Sequence, residues 1–205
     1  MSNRATATKI AEALKVFRQH GGILRTRDAL AQGIHQRTLY TMRDDGLLEC
    51  LGRGLYRLAD LPPLSDPDLV TVARKIPQGV ICLISALHFH GITTQIPHAV
   101  SIAVNRGTER PRLQYPPTNI YVFSNLAFSE GIETHSIDGT RVRVYSPEKT
   151  LADCFKYRNK IGMDTVREAI EKYRDQRKSK PRELLRFARA CRVERIMRPY
   201  LEAML

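Results

Sequence analysis

Short apolar runs separated by glycines organise the first sixty residues of the chain. Apolar residues recur at helical spacing and stop at glycine three times, which predicts helices over residues 8–19, 26–32 and 36–45. Thr26 is placed to cap the second helix, and Leu39 and Met42 to face inward on the third. A short extended piece, Ile23 and Leu24, separates the first two helices.

Two short strands follow the third helix. They are predicted over residues 47–51 and 55–58, around the glycine-flanked tip Gly52-Arg53-Gly54. Three helices followed by a two-stranded hairpin is the element order of a winged helix-turn-helix. We therefore expect residues 1–60 to form such a domain and to bind double-stranded DNA through the third helix and the hairpin, or wing.

Helical geometry sorts the candidate DNA contacts. If Leu39 and Met42 pack inward, the polar residues of the third helix point outward, with arginine suited to guanine and glutamine to adenine. The second helix begins where a phosphate is favoured, and Arg53 stands at the wing tip with Arg57 as its support. The expected DNA-contacting residues are Arg25, Thr26, Gln36, Arg37, Tyr40, Thr41, Arg43, Arg53 and Arg57.

A proline-rich linker over residues 61–67 and an α+β domain over residues 68–205 complete the expected architecture. Its strands are predicted around residues 100–104, 120–122, 132–137 and 140–144, the last two joined by the turn Asp138-Gly139. Its helices are predicted over residues 68–75, 80–90, 147–157 and 193–205, with others capped by Asp164 and opened by Pro181. The last helix is expected to kink near Pro199.

The net charge of +12 favours a polyanionic partner. The excess is +4 in residues 1–60, +1 in residues 61–150 and +7 in residues 151–205. The most basic segment therefore lies outside the expected DNA reader. Arg174, Arg177 and Lys178 mark a second basic surface there, which solvated helix faces would explain equally well.

Catalytic and metal-binding patterns are missing from the sequence. No acid is followed two residues later by lysine, as a restriction-type nuclease requires, and His88 and His90 would point apart on one helix. The four cysteines form no chelating pair, and no apolar run is long enough for a membrane span. We therefore expect no enzyme activity, no catalytic residue, no cofactor, no metal and no membrane partner, and a cytoplasmic location.

Several segments resemble the AbiEi-like antitoxins, transcriptional regulators of bacterial abortive-infection (phage-defence, type IV) toxin–antitoxin systems. The resemblance runs through residues 46–58, 81–87, 90–93 and 96–97, and resumes at Gly139 and over residues 142–153 and 160–162. It implies a winged helix that represses its own promoter by binding inverted repeats, with DNA-reading positions at Arg37, Tyr40, Thr41 and Arg53. It also implies a C-terminal domain that counteracts a nucleotidyltransferase-type toxin, without need of a stable complex.

Two other functions stay open. A plain winged-helix transcription factor would use the C-terminal domain to bind a ligand or to dimerise, with no toxin partner. A DNA-processing enzyme with a winged-helix targeting domain is disfavoured by the missing acidic motif. For the segment Pro147-Glu148-Lys149-Thr150, the favoured interpretation is structural, as the start of a packed helix.

Overall fold

The structure, a computed structural model, describes residues 2–176 and 180–202. Its contacts divide the chain into two compact units. The first contains the residues up to Pro77 together with Ser136–Thr140, and the second contains Gln78–His135 and the described residues from Arg141 onward. Helices and β-sheets make up the described chain, which is therefore of the α+β class.

The first unit combines helices with a small antiparallel sheet. Its described elements are α1 (Ser2–Gln19), β1 (Ile23–Arg25), α2 (Thr26–Ala31), α3 (Gln36–Asp44), β2 (Leu48–Gly52), β3 (Leu55–Leu58) and α4 (Pro67–Lys75). The strands lie in the order β1-β3-β2, with β3 antiparallel to both neighbours. Phe17, Leu39, Met42 and Leu58 are fully buried in its core. The predicted helices and hairpin are confirmed.

Two local predictions for this unit were wrong. The first helix begins at Ser2 rather than near residue 8. Thr26 is the first helical residue and not the cap; Arg25 occupies the N-cap position and makes no side-chain capping bond. Pro67–Lys75 contributes to this unit's core, since Val70 packs with Ile23 and Leu55. The linker predicted over residues 61–67 therefore runs inside the first unit.

The second unit is built on a mixed five-stranded sheet. Its elements are β4 (Val80–Ile81), α5 (Leu83–Phe89), β5 (Val100–Asn105), β6 (Thr118–Phe123), α6 (Asn125–Ser129), β7 (Ile132–Ile137), β8 (Thr140–Tyr145), α7 (Pro147–Lys156), α8 (Arg158–Ile161), α9 (Met163–Asp175), α10 (Pro181–Ala190) and α11 (Glu194–Glu202). The strand order is β6-β5-β4-β8-β7. β5 and β6 are parallel, as are β4 and β8, whereas β4 and β5 are antiparallel.

Helix α7 lies at the centre of the second unit. Every residue from Glu148 to Phe155 is buried, and the helix packs against α5, α9, α10 and α11. Ser146 caps it, since its hydroxyl accepts a hydrogen bond from the amide of Lys149. The predicted strands and the predicted start of this helix are confirmed.

The second unit also corrects several predictions. Val80 and Ile81 form a strand rather than the first turn of a helix, and Gly162 precedes α9 where Asp164 was expected to cap it. Helices α6 and α8 were not predicted. Pro199 lies within α11, and residues 203–205 of the predicted last helix lie outside the described residues. No helix in the described part of the chain combines the length and apolarity needed to cross a membrane.

Candidate nucleic-acid interface

Helix α3 presents a polar face because its other face is fixed in the core of the first unit. His35 caps the helix, its ring nitrogen Nδ1 accepting a hydrogen bond from the amide of Arg37 at 3.2 Å. Leu39 and Met42 are fully buried. The helix ends just before Gly46, whose φ of +72° lies in the left-handed region that favours glycine. These constraints turn the remaining side chains outward in two rows.

One row of α3 consists of Gln36, Tyr40 and Arg43, whose side chains contact one another. The side-chain amide nitrogen Nε2 of Gln36 donates to the hydroxyl of Tyr40, and the guanidinium of Arg43 lies 5.2 Å from the centre of the Tyr40 ring. Arg43 also pairs with Asp44 at 2.6 Å, and this hydrogen bond raises the pKa of the guanidinium. The row is exposed and polar, but its cation is already paired.

The second row contains Arg37 and Thr41. The Thr41 hydroxyl donates to the backbone oxygen of Arg37 at 3.0 Å, so it is engaged within its own helix. The guanidinium of Arg37 is exposed and has no hydrogen-bond or ion-pair partner among the described residues. Arg37 is therefore the residue on α3 that can bind a new partner without breaking an existing contact.

The tip of the β2–β3 hairpin carries Arg53, which is exposed. Its backbone oxygen accepts a hydrogen bond from the Nζ of Lys75, at the end of α4. The next residue, Gly54, has a φ of +67°, and a Cβ there would lie 3.3 Å from the Thr26 hydroxyl. The Thr26 amide also donates to the backbone oxygen of Gly54 at 3.0 Å. The hairpin tip is thus held from two sides while the Arg53 side chain stays free.

Three of the expected DNA-contacting residues already have partners within the first unit. Arg57 is 3% exposed, pairs with Glu49 at 3.0 Å and donates to the backbone oxygen of Pro62, so it supports the sheet from inside. Arg25 donates to the backbone oxygen of Arg74, and burial lowers the pKa of its guanidinium. The amide of Thr26 is used by the hairpin rather than left for a phosphate.

Lys75 is a candidate that the sequence pattern did not reveal. Burial is the main cause that lowers the pKa of this lysine, and the nearby charges of Arg25 and Arg53 lower it further. It is half-buried and sits beside the hairpin tip, where it adds a second cation to that of Arg53. The sequence shows that Lys75 lies in the last turn of a helix. Its hydrogen-bond partner, the backbone oxygen of Arg53, lies 22 residues away in the chain, so the sequence pattern did not reveal the contact.

Of the three residues of the expected second basic surface, Arg174 lies in the part of the chain that the structure describes. Arg174 is exposed and pairs with the neighbouring Asp175 at 3.4 Å. Arg177 and Lys178 lie outside the described residues.

Within residues 2–176 and 180–202, no group of three or more histidine, cysteine, aspartate or glutamate side chains could hold a metal ion. His90 donates from Nε2 to the backbone oxygen of Tyr145 at 2.7 Å, and burial lowers its pKa. All four cysteines are free thiols.

The sequence of the first unit matches a known family. Residues 12–59 match the family model described as a transcriptional regulator, AbiEi antitoxin. The matched segment begins within α1 and ends just after β3, so it covers the helices and the hairpin that carry Arg37 and Arg53. The family resemblance is confirmed over this segment, which is 48 of the 205 residues. No curated protein matches the chain significantly.

Two solved structures resemble the fold. The crystal structure of the RV2827C protein from Mycobacterium tuberculosis has a TM-score of 0.56 and 14% sequence identity, covering 98% of this chain and 80% of that one. At this identity the likeness concerns the fold alone. An antigenic nucleotidyltransferase-like protein from Paracoccidioides brasiliensis has a TM-score of 0.38 and 16% identity, covering 69% of this chain and 95% of that one. That likeness is too slight to carry an argument.

Proposed function

We propose that this chain is a DNA-binding transcriptional autorepressor that also acts as the antitoxin of a two-gene toxin–antitoxin module for phage defence. One observation carries the proposal. The segment that matches the AbiEi regulator family is the same segment that forms three helices and a hairpin with an unpaired arginine on each of two projecting parts. Those two arginines are Arg37 and Arg53.

In this proposal the first unit is a winged helix-turn-helix. Helix α3 enters the major groove, where the unpaired guanidinium of Arg37 forks onto O6 and N7 of a guanine. The row of Gln36, Tyr40 and Arg43 faces the same groove or its phosphates. The hairpin is the wing, and Arg53 at its tip contacts backbone phosphates or the minor groove, with Lys75 holding the tip in place.

The second unit supplies the antitoxic half of the function. The family description supports a toxin partner. The family model matches residues 12–59, and in the second unit the sequence resembles the family over residues 81–87, 90–93, 96–97, 139, 142–153 and 160–162. We place its target among nucleotidyltransferase-type toxins, and we propose that it acts in the cytoplasm by binding rather than by catalysis. Inverted repeats in its own promoter are the proposed DNA target.

Band-shift titrations with promoter DNA test the DNA-binding half. Arg53→Ala is expected to weaken binding to all sequences about equally and to lower the slope of log affinity against log salt by roughly one unit, because one phosphate contact is lost. Arg37→Ala should cost about 1–3 kcal/mol and relax specificity at one base position. Arg18→Ala, which removes an exposed cation paired with Asp60 at 2.9 Å, is the matched control. Equal effects for all three variants would contradict the proposed face.

Co-expression with the toxin encoded beside this gene tests the antitoxic half. The wild-type chain is expected to restore growth, and the double variant Arg37→Ala/Arg53→Ala should still restore it when expressed from an unrelated promoter. The same double variant should no longer repress a reporter driven by the native promoter. Failure of the wild-type chain to restore growth would contradict the antitoxin function.

A plain regulator whose second unit binds a small ligand is the alternative. A cleft in the second unit, lined by Arg106 and Arg192 among others, favours ligand binding in either case. The two functions differ in whether the chain has a toxin partner. An operon that contains no nucleotidyltransferase gene would favour the plain regulator.

A further inference from the structure

The second unit contains a cleft of about 760 Å³. It is lined by residues from the ends of strands and helices, namely Arg106, Ser124, Leu126, Ala127, Lys156, Arg158, Ala190, Cys191, Arg192, Val193 and Ile196. Its volume lies within the range of small-molecule sites in proteins, about 300–1,000 Å³. All the described residues that line it belong to the second unit.

Four cations converge on this cleft from four places in the chain. Arg106 follows β5, Lys156 ends α7, Arg158 begins α8 and Arg192 lies in the turn between α10 and α11. Among the residues that line the cleft there is no aspartate or glutamate. None of these four cations forms an ion pair within residues 2–176 and 180–202. Four unneutralised positive charges around one cavity favour an anion of several charges.

Neighbouring arginines outside the cleft behave differently. Arg186 pairs with Glu183 at 2.9 Å, and both Arg189 and Arg198 pair with Glu194 at 3.1 Å. Three of the four cleft cations also lie at helix C-termini, where a positive charge is favoured: Lys156 ends α7, Arg158 donates to the backbone oxygen of Phe155 in the last turn of α7 at 3.0 Å, and Arg192 follows α10. The absence of carboxylates is therefore a local property of this cleft and not of the whole surface.

Arg192 occupies a backbone position where glycine is usual. Its φ is +60°, and it follows the end of α10, where the amide of Val193 donates back to the oxygen of Ala188 at 2.8 Å. This is the helix-ending turn in which the left-handed residue is most often glycine. Arg192 therefore keeps a backbone conformation that glycine adopts more readily.

The cleft also has an apolar part. Leu126 is 64% exposed and Ile196 is 38% exposed, and both line the cleft. Ala127, Cys191 and Val193 are buried and line it from below. Exposed aliphatic side chains next to unpaired cations suit a ligand with a flat apolar group joined to a highly charged one.

We propose that this cleft binds a nucleoside polyphosphate, with the phosphates on the four cations and the base against Leu126 and Ile196. The proposal goes beyond DNA binding and toxin counteraction and does not depend on them. A duplex phosphate backbone fits less well, because a concave cavity with an aliphatic lining offers it little contact beyond the rim. The charged and the apolar parts together distinguish a nucleotide from a simple anion.

Isothermal titration calorimetry on the full chain tests this directly. ATP is the first probe, followed by ADP, AMP, adenosine and inorganic tripolyphosphate. Affinity should fall in the order ATP, ADP, AMP, because each phosphate removed loses charge-assisted hydrogen bonds. Adenosine and tripolyphosphate should each bind at least about tenfold more weakly than ATP, because each lacks one half of the ligand. Tripolyphosphate that binds as tightly as ATP would overturn the assignment to a nucleotide, and so would a lack of heat with ATP.

Arg192→Gly provides the sharpest variant. It removes a guanidinium from the cleft and relieves the left-handed backbone, so ATP affinity should fall about tenfold while the melting temperature stays level or rises. The double variant Arg106→Gln/Lys156→Gln changes two exposed side chains and should weaken ATP binding further. Arg198→Gln is the charge-matched control. Arg198 lies on α11 and pairs with Glu194, so this variant should leave ATP affinity unchanged. Loss of promoter affinity by Arg192→Gly, with ATP binding unchanged, would assign the cleft to DNA instead.

Discussion

Lys149 and Asp153 form a salt bridge in the interior of the second unit. Their side chains are 0% and 1% exposed, and Nζ lies 2.5 Å from the carboxylate. Nζ also lies 4.5 Å from the centre of the Tyr145 ring, and the Cys191 thiol donates to the second carboxylate oxygen at 3.3 Å. Burial raises the pKa of Asp153, whereas the charge and hydrogen bond of Lys149 act against that rise. Each charge is therefore stabilised in the interior by the other. Lys149 belongs to the segment Pro147-Glu148-Lys149-Thr150, which the sequence predicts to be the start of a packed helix.

Lys149→Met is expected to destabilise the chain strongly. It leaves the carboxylate of Asp153 buried without its cation, which typically costs about 3–5 kcal/mol. The double variant Lys149→Met/Asp153→Leu should recover most of that loss, because replacing both charges by apolar groups removes the unpaired one. Urea unfolding of the two variants beside wild type measures this. A single variant as stable as wild type would show that the pair does not hold α7 in place.

At the level of single residues, the sequence predicted which side chains are exposed better than it predicted which of them already have hydrogen-bond partners. Arg37 and Arg53 are exposed as helical spacing and the glycine-flanked tip required. The roles of Arg25 and Arg57 could not be predicted, because each is decided by a backbone oxygen in another segment, that of Arg74 or Pro62. A basic residue that is free to bind and one that ties two segments together look the same in sequence.

Among the elements, the β2–β3 hairpin depends on a helix that follows it in the chain. Lys75→Met is expected to loosen the hairpin tip, because methionine keeps an apolar side chain but cannot donate the hydrogen bond from Nζ to the backbone oxygen of Arg53. Backbone amides at the tip should exchange with deuterium several-fold faster in the free protein. Lys75→Arg, which keeps a cationic donor, should exchange more slowly than Lys75→Met. Unchanged exchange in Lys75→Met would mean that the tip is held by its contacts with Thr26 alone.

Secondary structure was predictable where an apolar stripe ended at a clear stop. Helix α3 lies between its cap and Gly46, and the strands of the β7–β8 hairpin meet at Asp138-Gly139, as expected. The strand at Val80 was missed because its two residues continue directly into the apolar run of α5. Such a short strand is selected by pairing with β5 and β8, and those contacts are not local.

Across the whole molecule, the distribution of net charge does not show which cations are already paired. Residues 151–205 carry the largest excess, +7, and within the described part of that segment some arginines pair with carboxylates, namely Arg167, Arg174, Arg186, Arg189 and Arg198, whereas Lys156, Arg158 and Arg192 do not. Residues 1–60 have an excess of only +4, but Arg37 and Arg53 are unpaired among the described side chains. A net charge of +12 therefore predicts a polyanion partner without locating its contacts.

This distinction predicts which cations control the salt dependence of promoter binding. Arg174→Gln removes one charge, but Asp175 already neutralises that charge at 3.4 Å, so the change should alter the attraction for DNA phosphates little. The slope of log affinity against log salt should stay at the wild-type value, whereas Arg53→Ala should lower it by roughly one unit. Band shifts over a series of salt concentrations measure both. Equal reductions in the two variants would place the basic C-terminal segment on the DNA and make the wing one of two contact regions.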